Sequence, residues 1–242
     1  MKIVNAVWEK RNLGVNTTEI TVESGDSAEA VKGMLNSVQN DYIVLKIPAG
    51  SIDIMFEAEK YGFRFVECII HVTHNLKNVI LSPVQTRIDS QVTYGKMTEA
   101  DIEELYKQIR KGLFYTDRIS VDSYFDKNQA ANRYIGWISD EYARGCDIFK
   151  MIYKDETVGF FTFKELEEGV FYPFLAGMYK RYQNSPLGAV YNYKPILEAR
   201  KRRGKIISTY VSTNNSNALR AHAAYGFSFK DIHYVYVKHN LA

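Results

Sequence analysis

The apolar positions of this chain fall into two periods. Asp41 to Ile47, DYIVLKI, is apolar at nearly every step and predicts a buried strand closed by Pro48. Ala30, Val31, Met34, Leu35 and Val38 recur at helical spacing and predict a helix over 28–38. Ile20-Thr21-Val22 reads as a short strand, 54–60 as a helix, and 65–72 as a strand entered through Tyr61-Gly62-Phe63. Residues 75–91, with Asn75, Lys77, Asn78 and Ser82-Pro83, read as a polar linker.

Past the linker the pattern restarts. Val92-Thr93-Tyr94 opens with a strand, and Thr98 with Asp101 forms a capping pair for a helix running to Gly112. A second helix spans 128–145, with Tyr134, Trp137, Ile138 and Tyr142 on one stripe. Strands follow at 148–153, 157–163 and 170–178. The last is apolar throughout but holds Pro173, which cannot donate to a ladder and predicts a bulge or break. A helix over 187–203, a strand over 205–212, a helix over 215–224 and a strand over 229–237 complete an α/β (α+β mixed sheet) protein.

The chain therefore divides into units at 1–90 and 91–242, a comfortable size for two domains in 242 residues. The units share a feature. Strand, turn, short helix, Tyr-Gly-Phe and strand occur around Tyr61-Gly62-Phe63-Arg64-Phe65 and again around Tyr225-Gly226-Phe227-Ser228-Phe229, which reads as an internal repeat. Only the second copy carries a histidine, His222, where the first has Ala58.

Composition narrows the function classes. A net charge of +3 with both signs dispersed gives no basic stripe for nucleic acid. The run Arg200-Lys201-Arg202-Arg203 sits at a helix end, where cations favour the dipole. Cys68 and Cys146 have no metal-site spacing, so no metal is expected. No membrane span is expected, and the N-terminus lacks a secretory apolar core, so a cytoplasmic protein is expected.

Two polar turns precede helices in the second unit. The turn holding Gln183, Asn184, Ser185, Pro186, Leu187, Gly188 and Ala189 offers backbone N–H groups at a helix start, suited to a pyrophosphate. Thr213 to Ser216 either holds an amide-rich ligand or caps the following helix.

These blocks resemble the GCN5-related N-acetyltransferases (GNAT). That family's pyrophosphate loop has the form Arg/Gln-x-x-Gly-x-Gly/Ala; Gln183 and Gly188 match it, and Pro186 replaces the middle glycine. Asn215, Ala218, His222, Gly226 and Phe227 match its C-terminal Asn-x-x-Ala…Gly-Phe block. The resemblance covers residues 92–242 and implies a GNAT acyltransferase fold preceded by a smaller, partial GNAT-like domain. In the N-terminal unit, Trp8-Glu9…Gly14-Val15-Asn16, Lys46-Ile47 and Tyr61-Gly62-Phe63 are similar to the acetyltransferase type that acts on dTDP-4-amino-4,6-dideoxygalactose (dTDP-fucosamine).

What the resemblance implies is direct acetyl transfer from acetyl-CoA to the amine of a small molecule, an amino-sugar nucleotide among the candidates. Gly177 and Met178 would supply the oxyanion N–H. Gln183, Asn184, Ser185, Leu187, Gly188, Ala189, Asn215 and Ala218 would hold the coenzyme. His222 stands where the family has a proton-donating Tyr. Tyr172 and Tyr179 are candidates for the acceptor cleft. No base is identifiable. Two other readings stay open: a non-catalytic acyl-CoA-binding protein, and an enzyme acetylating protein or peptide amines. Edge strands in such folds pair between subunits, so a homodimer is an expected assembly.

Overall fold

A computed structural model describes residues 1–77 and 79–240, with Ala189 described by its backbone only. Asn78, in the expected linker, lies outside the described residues. The strands are β1 (Lys2–Asn5), β2 (Thr17–Thr21), β3 (Tyr42–Pro48), β4 (Arg64–His74), β5 (Val92–Lys96), β6 (Asp147–Tyr153), β7 (Glu156–Glu167), β8 (Val170–Tyr172), β9 (Ala176–Met178), β10 (Ile206–Ser212) and β11 (Ser228–His239). The helices are α1 (Val7–Leu13), α2 (Ala28–Ser37), α3 (Ile52–Lys60), α4 (Pro83–Asp89), α5 (Glu99–Arg110), α6 (Arg118–Val121), α7 (Lys127–Ala143), α8 (Tyr193–Lys201) and α9 (Ser216–Ala224). Among the described residues, no helix is long and apolar enough to cross a membrane.

One mixed sheet runs through both units, in the order β1-β2-β3-β11-β4-β10-β8-β7-β6-β5, with β9 pairing β7. The last strands are exchanged. β11, from the end of the chain, lies between β3 and β4, and β4 lies between β11 and β10. Each half thus pairs its own inner strand with the other half's last strand.

The repeat is structural. One constant offset carries Tyr42 to Ile206 and Pro48 to Ser212, then Ile52 to Ser216 and Lys60 to Ala224, without insertion. Both helices end in the same motif: Gly62 and Gly226 take φ of 82° and 77°. Phe63 N–H donates to the Ala58 carbonyl and Phe227 N–H to the His222 carbonyl, the long bond of a Schellman cap. The left-handed position is why glycine stands between the aromatics in each copy. Ile69 and His233 are equivalent under the same offset and pair directly across β4 and β11, so the pseudo-two-fold passes between them.

The halves diverge at the ladder beside the inner strand. In the N-terminal half β2 and β3 pair in parallel over their full length, Thr17↔Tyr42 to Thr21↔Lys46. In the C-terminal half the matching ladder stops after Val170↔Ile206 and Phe171↔Ile207. The expected strand over 170–178 is therefore two strands, β8 and β9, broken across Pro173, Phe174 and Leu175. Thr209 Oγ1 donates to the Pro173 carbonyl at 2.9 Å, and Leu175 N–H donates to Thr162 Oγ1 at 2.9 Å, which pin the two sides of the break. Beyond it β9 leans onto β7 and away from β10.

Other expectations shift for local reasons. The helix over 187–203 begins only at Tyr193, preceded by a 3-10 turn over Pro186–Ala189. Pro195 explains this, because proline fits the first turn of a helix but not its interior. The linker contains α4, announced by a Ser82–Gln85 capping box and Pro83 at its first turn.

β9 has little room against β7. A Cβ at Gly159 would stand 2.6 Å from the Gly177 carbonyl oxygen and 3.1 Å from Met178 Cα. Gly159→Ala should therefore destabilise the protein by ~1–3 kcal/mol through overpacking. Urea denaturation reads this as a lowered midpoint; an unchanged midpoint would contradict the tight β7–β9 contact.

Candidate functional site

The break in β8–β9 frees backbone groups. Tyr179 N–H donates to Val158 O and Thr162 N–H to Leu175 O. Between these bonds Phe160 pairs with Gly177, so Gly177 lies in the hydrogen-bonded register with β7. The N–H groups of Ala176 and Met178 then face away from β7, toward the opened side. The Gly177 N–H is thus turned to β7, and those of Ala176 and Met178 lie on the opened side.

A cavity of about 1070 Å³ occupies the opening and extends across the same sheet face into the N-terminal half. Its lining includes Phe174, Leu175 and Ala176 on one side of the cleft and Thr209 to Ser212 on the other. Helices α1 and α7 cover it, joined by a bidentate Arg11–Asp140 pair at 3.0 and 2.7 Å.

His222 is buried on α9 and lines this cavity. Its Nδ1 lies 2.7 Å from the Ala218 carbonyl oxygen and 3.3 Å from Asn192 Nδ2. The shorter contact requires a proton between nitrogen and carbonyl, so we assign the Nδ1–H tautomer. Nε2 then carries the lone pair. Burial lowers the pKa of the ring, opposed by the bond to Ala218. The neutral ring is thus a proton acceptor at Nε2, and donates there only after taking a proton.

The sequence-derived site residues separate into two groups. Asn215, Ala218, His222 and Tyr172 line the cavity together. Asn215 also caps α9, its side chain accepting from Ala218 N–H at 3.0 Å. Gly177, Met178, Gln183, Asn184, Ser185, Leu187 and Gly188 do not line it, and the side chain of Ala189 lies outside the described residues. Tyr179 is buried against Leu105, Ile109 and Tyr134 in the core between sheet and helices, away from the cavity.

The loop at 183–189 is compact. N–H groups of Gln183, Ser185, Gly188 and Val190 each bond a carbonyl three residues back. Pro186 has no N–H. Leu187 is buried in the core. These four donors are taken up within the loop.

At the N-terminal end the cavity floor is charged. Glu19 and Lys46 occupy the places that Tyr172 and Tyr210 take in the other half, and they pair at 2.9 Å. Buried Arg118 contacts Glu19 at 2.5 Å and Glu9 at 3.2 Å, and Arg133 contacts Glu9 at 2.8 Å. Burial alone would raise Glu19, but Arg118 and Lys46 outweigh it and bring its pKa to about 2.

Glu67 on β4 also lines the cavity. It is 3% exposed, and its Oε2 has no hydrogen-bond partner. Burial raises its pKa, against hydrogen bonding from Ser212 and the attraction of Arg118. Sequence reasoning missed Glu67. Its signal was a lone carboxylate between Phe65-Val66 and Cys68-Ile69 in an otherwise apolar strand.

No family model matches the chain, and no curated protein matches it. Solved structures do. A functionally unknown conserved protein from Staphylococcus epidermidis ATCC 12228 matches with a TM-score of 0.63 at 13% identity, over 93% of this chain and 85% of that one. A GCN5-related N-acetyltransferase from Sphaerobacter thermophilus matches at 0.58 and 14% identity, over 83% of this chain and 60% of that one. A tandem GNAT protein from the clavulanic acid biosynthesis pathway matches at 0.53 and 10%, over 93% and 76%. At these identities the likeness is one of fold. The fold is that of the GNAT proteins, in a tandem arrangement.

His222 should titrate below the ordinary imidazole value of ~6.5, with the neutral ring protonated at Nδ1. Nitrogen-detected NMR of the imidazole checks both. Because the folded value is the lower one, the unfolded chain binds this proton more tightly. Stability from His222 is therefore intact above about 6.5 and falls as pH drops below it; a flat stability profile from pH 7 to 5, alongside an ordinary titration, would refute the assignment.

Proposed function

We propose that this chain is an acetyl-CoA-dependent N-acetyltransferase acting on a primary amine of a small molecule. The observation that carries this reading is the opened cleft between β9 and β10, with inward backbone N–H groups on one wall and His222 in the same cavity. The N-terminal half lacks the cleft because its β2–β3 ladder is closed, so one site per chain is expected.

The chemistry follows from the groups present. Acetyl-CoA, when bound, supplies a thioester carbonyl to the cleft. The N–H of Ala176 or Met178 is oriented to stabilise negative charge developing on the carbonyl oxygen. His222 Nε2 takes a proton from the amine nitrogen once that nitrogen has bonded to carbon. The imidazolium then returns it to the departing sulfur. Asn215 holds the start of α9 and thereby the position of His222, two turns further on.

The acceptor belongs to the class of small primary amines. The amino-sugar nucleotide implied by the narrower resemblance is one member of it. A second reading, a non-catalytic acyl-CoA-binding protein, draws on the compact 183–189 loop with Pro186 in place of glycine.

The test is a titration with acetyl-CoA followed by a thiol-release screen of amines that includes nucleotide amino sugars. Saturable heat and amine-dependent thiol release are expected. Binding without release from any amine would favour the second reading, and no binding of any acyl-CoA would remove both. His222→Ala should lower turnover by ~10²–10⁴ while acetyl-CoA still binds; turnover within a few-fold of the parent would take His222 out of the proton path.

A further inference from the structure

The charges lining the cavity are unevenly paired. Each arginine and lysine lining it has a carboxylate within reach: Arg11 with Asp140, Lys46 with Glu19, Arg118 with Glu9 and Glu19, Arg133 with Glu9, and Arg144 with Glu141. Burial lowers the pKa of both lining histidines, His222 and His233, which keeps them neutral at pH 7. Among the described residues, two lining carboxylates have no cation within ion-pair distance, Asp117 and Glu67. Asp117 is satisfied locally, accepting from Ile119 N–H at 3.0 Å and from the Ser120 hydroxyl at 2.6 Å. Glu67 is not: it is 97% buried from solvent by its 3% exposure, and Oε2 is unpartnered. A buried carboxylate oxygen without a partner costs stability unless something else supplies the donor.

We infer that Glu67 is the docking point for the acceptor's ammonium, and that the acceptor is a cationic alkylamine carrying no phosphate or carboxylate. This rests on the acetyltransferase reading above and deepens it. An ammonium brings three donors and one positive charge, the two things Glu67 lacks. A phosphate or carboxylate on the same molecule would have to compete for a lining cation that already has a carboxylate within ion-pair distance. The remaining walls suit an uncharged carbon chain: Trp137 stacks on Phe174 at 5.0 Å, and Tyr210 meets Tyr172 edge-on at 6.5 Å.

Glu67 then acts as a catalytic base. One N–H bond of the ammonium breaks, the proton passes to Oε2, and the electron pair stays on nitrogen. That pair forms the bond to the thioester carbon. The second proton leaves nitrogen for His222 Nε2 and moves to sulfur as the carbon–sulfur bond breaks. One proton is released from Glu67 to solvent per turnover. The base comes from the N-terminal half and the acid from the C-terminal half, so the site needs both.

The experiment compares the full-length parent, Glu67→Gln and Glu67→Asp with three acceptors: n-butylamine, a β-fluorinated ethylamine that is largely uncharged at pH 7, and a nucleotide amino sugar. Binding of n-butylamine is first measured alone, without acetyl-CoA. The parent should bind it, and E67Q should bind it at least tenfold more weakly. In turnover E67Q should lose ~10²–10³ in kcat/KM with n-butylamine. It should lose at least tenfold less with the fluorinated amine, which arrives with its proton already gone, and Glu67→Asp should recover part of the loss. A nucleotide amino sugar preferred over both simple amines would overturn the cationic acceptor, while leaving the acetyltransferase reading in place. Equal losses for charged and uncharged amines would overturn the base, and the absence of n-butylamine binding to the parent would overturn the docking point. Glu67-dependent amine binding without acetyl-CoA binding would support the ammonium site and strike the acyl-transfer reading alone.

Discussion

Everything in this fold depends on the pairing of β4 with β11. These strands lie side by side on the pseudo-two-fold, each flanked on its other edge by the partner half's inner strand. Val235 and Val237 of β11 are buried with Tyr42 and Val44 of β3, and also with Ile119 and Phe125 from the α6 region. Across the axis, Ile70 and Val72 of β4 are buried with Ile207 and Val211 of β10. Neither half has a complete sheet without the last strand of the other. The chain order of the units and their spatial order are therefore different things.

A symmetric frame here holds an asymmetric site. Aligned through their ladders, the halves place Lys46 where the other has Tyr210 and Glu19 where it has Tyr172, on one sheet face. They also set a two-pair ladder against a five-pair ladder at the strand that opens or stays closed. The closed half cannot admit a chain between its strands, because the β2 backbone groups that face β3 are engaged along the whole ladder. It is free to carry charge instead. In the proposed reaction the aromatic, opened half faces the thioester and the ion-paired half faces the amine.

Much of this was legible in the sequence where the constraint is local. Gly62 and Gly226 announce their helix ends because only a left-handed cap needs glycine between two aromatics. Thr98 and Asp101 announce α5 because a capping box is a four-residue event, and both of its bonds form. Pro173 announced trouble in a strand, and the trouble is the cleft itself. What stayed hidden is long-range. Arg118 meets Glu9 across 109 residues of chain, and Arg133 meets it across 124. A single carboxylate such as Glu67 looks the same in sequence whether its strand turns that side chain to water or into a cavity. The α1 segment, VWEKRNL, failed for a related reason: its buried face includes Glu9 and Asn12, which polarity assigns to solvent.

The burial of His222 bears on how the two halves would share protons in the proposed reaction. An exposed imidazole near its ordinary pKa could bring its own proton to a leaving thiolate. Here the Ala218 carbonyl fixes the Nδ1–H tautomer and burial disfavours the cation, so the ring arrives with an empty Nε2. In the proposal Glu67, once ionised, is likewise an acceptor. In the proposed reaction the proton that sulfur needs comes from the nitrogen of the incoming amine. An ammonium has two protons to give before it becomes an amide, one for Glu67 and one for His222. The substrate's protonation state is thus part of the proposed path, one ammonium proton going to each acceptor.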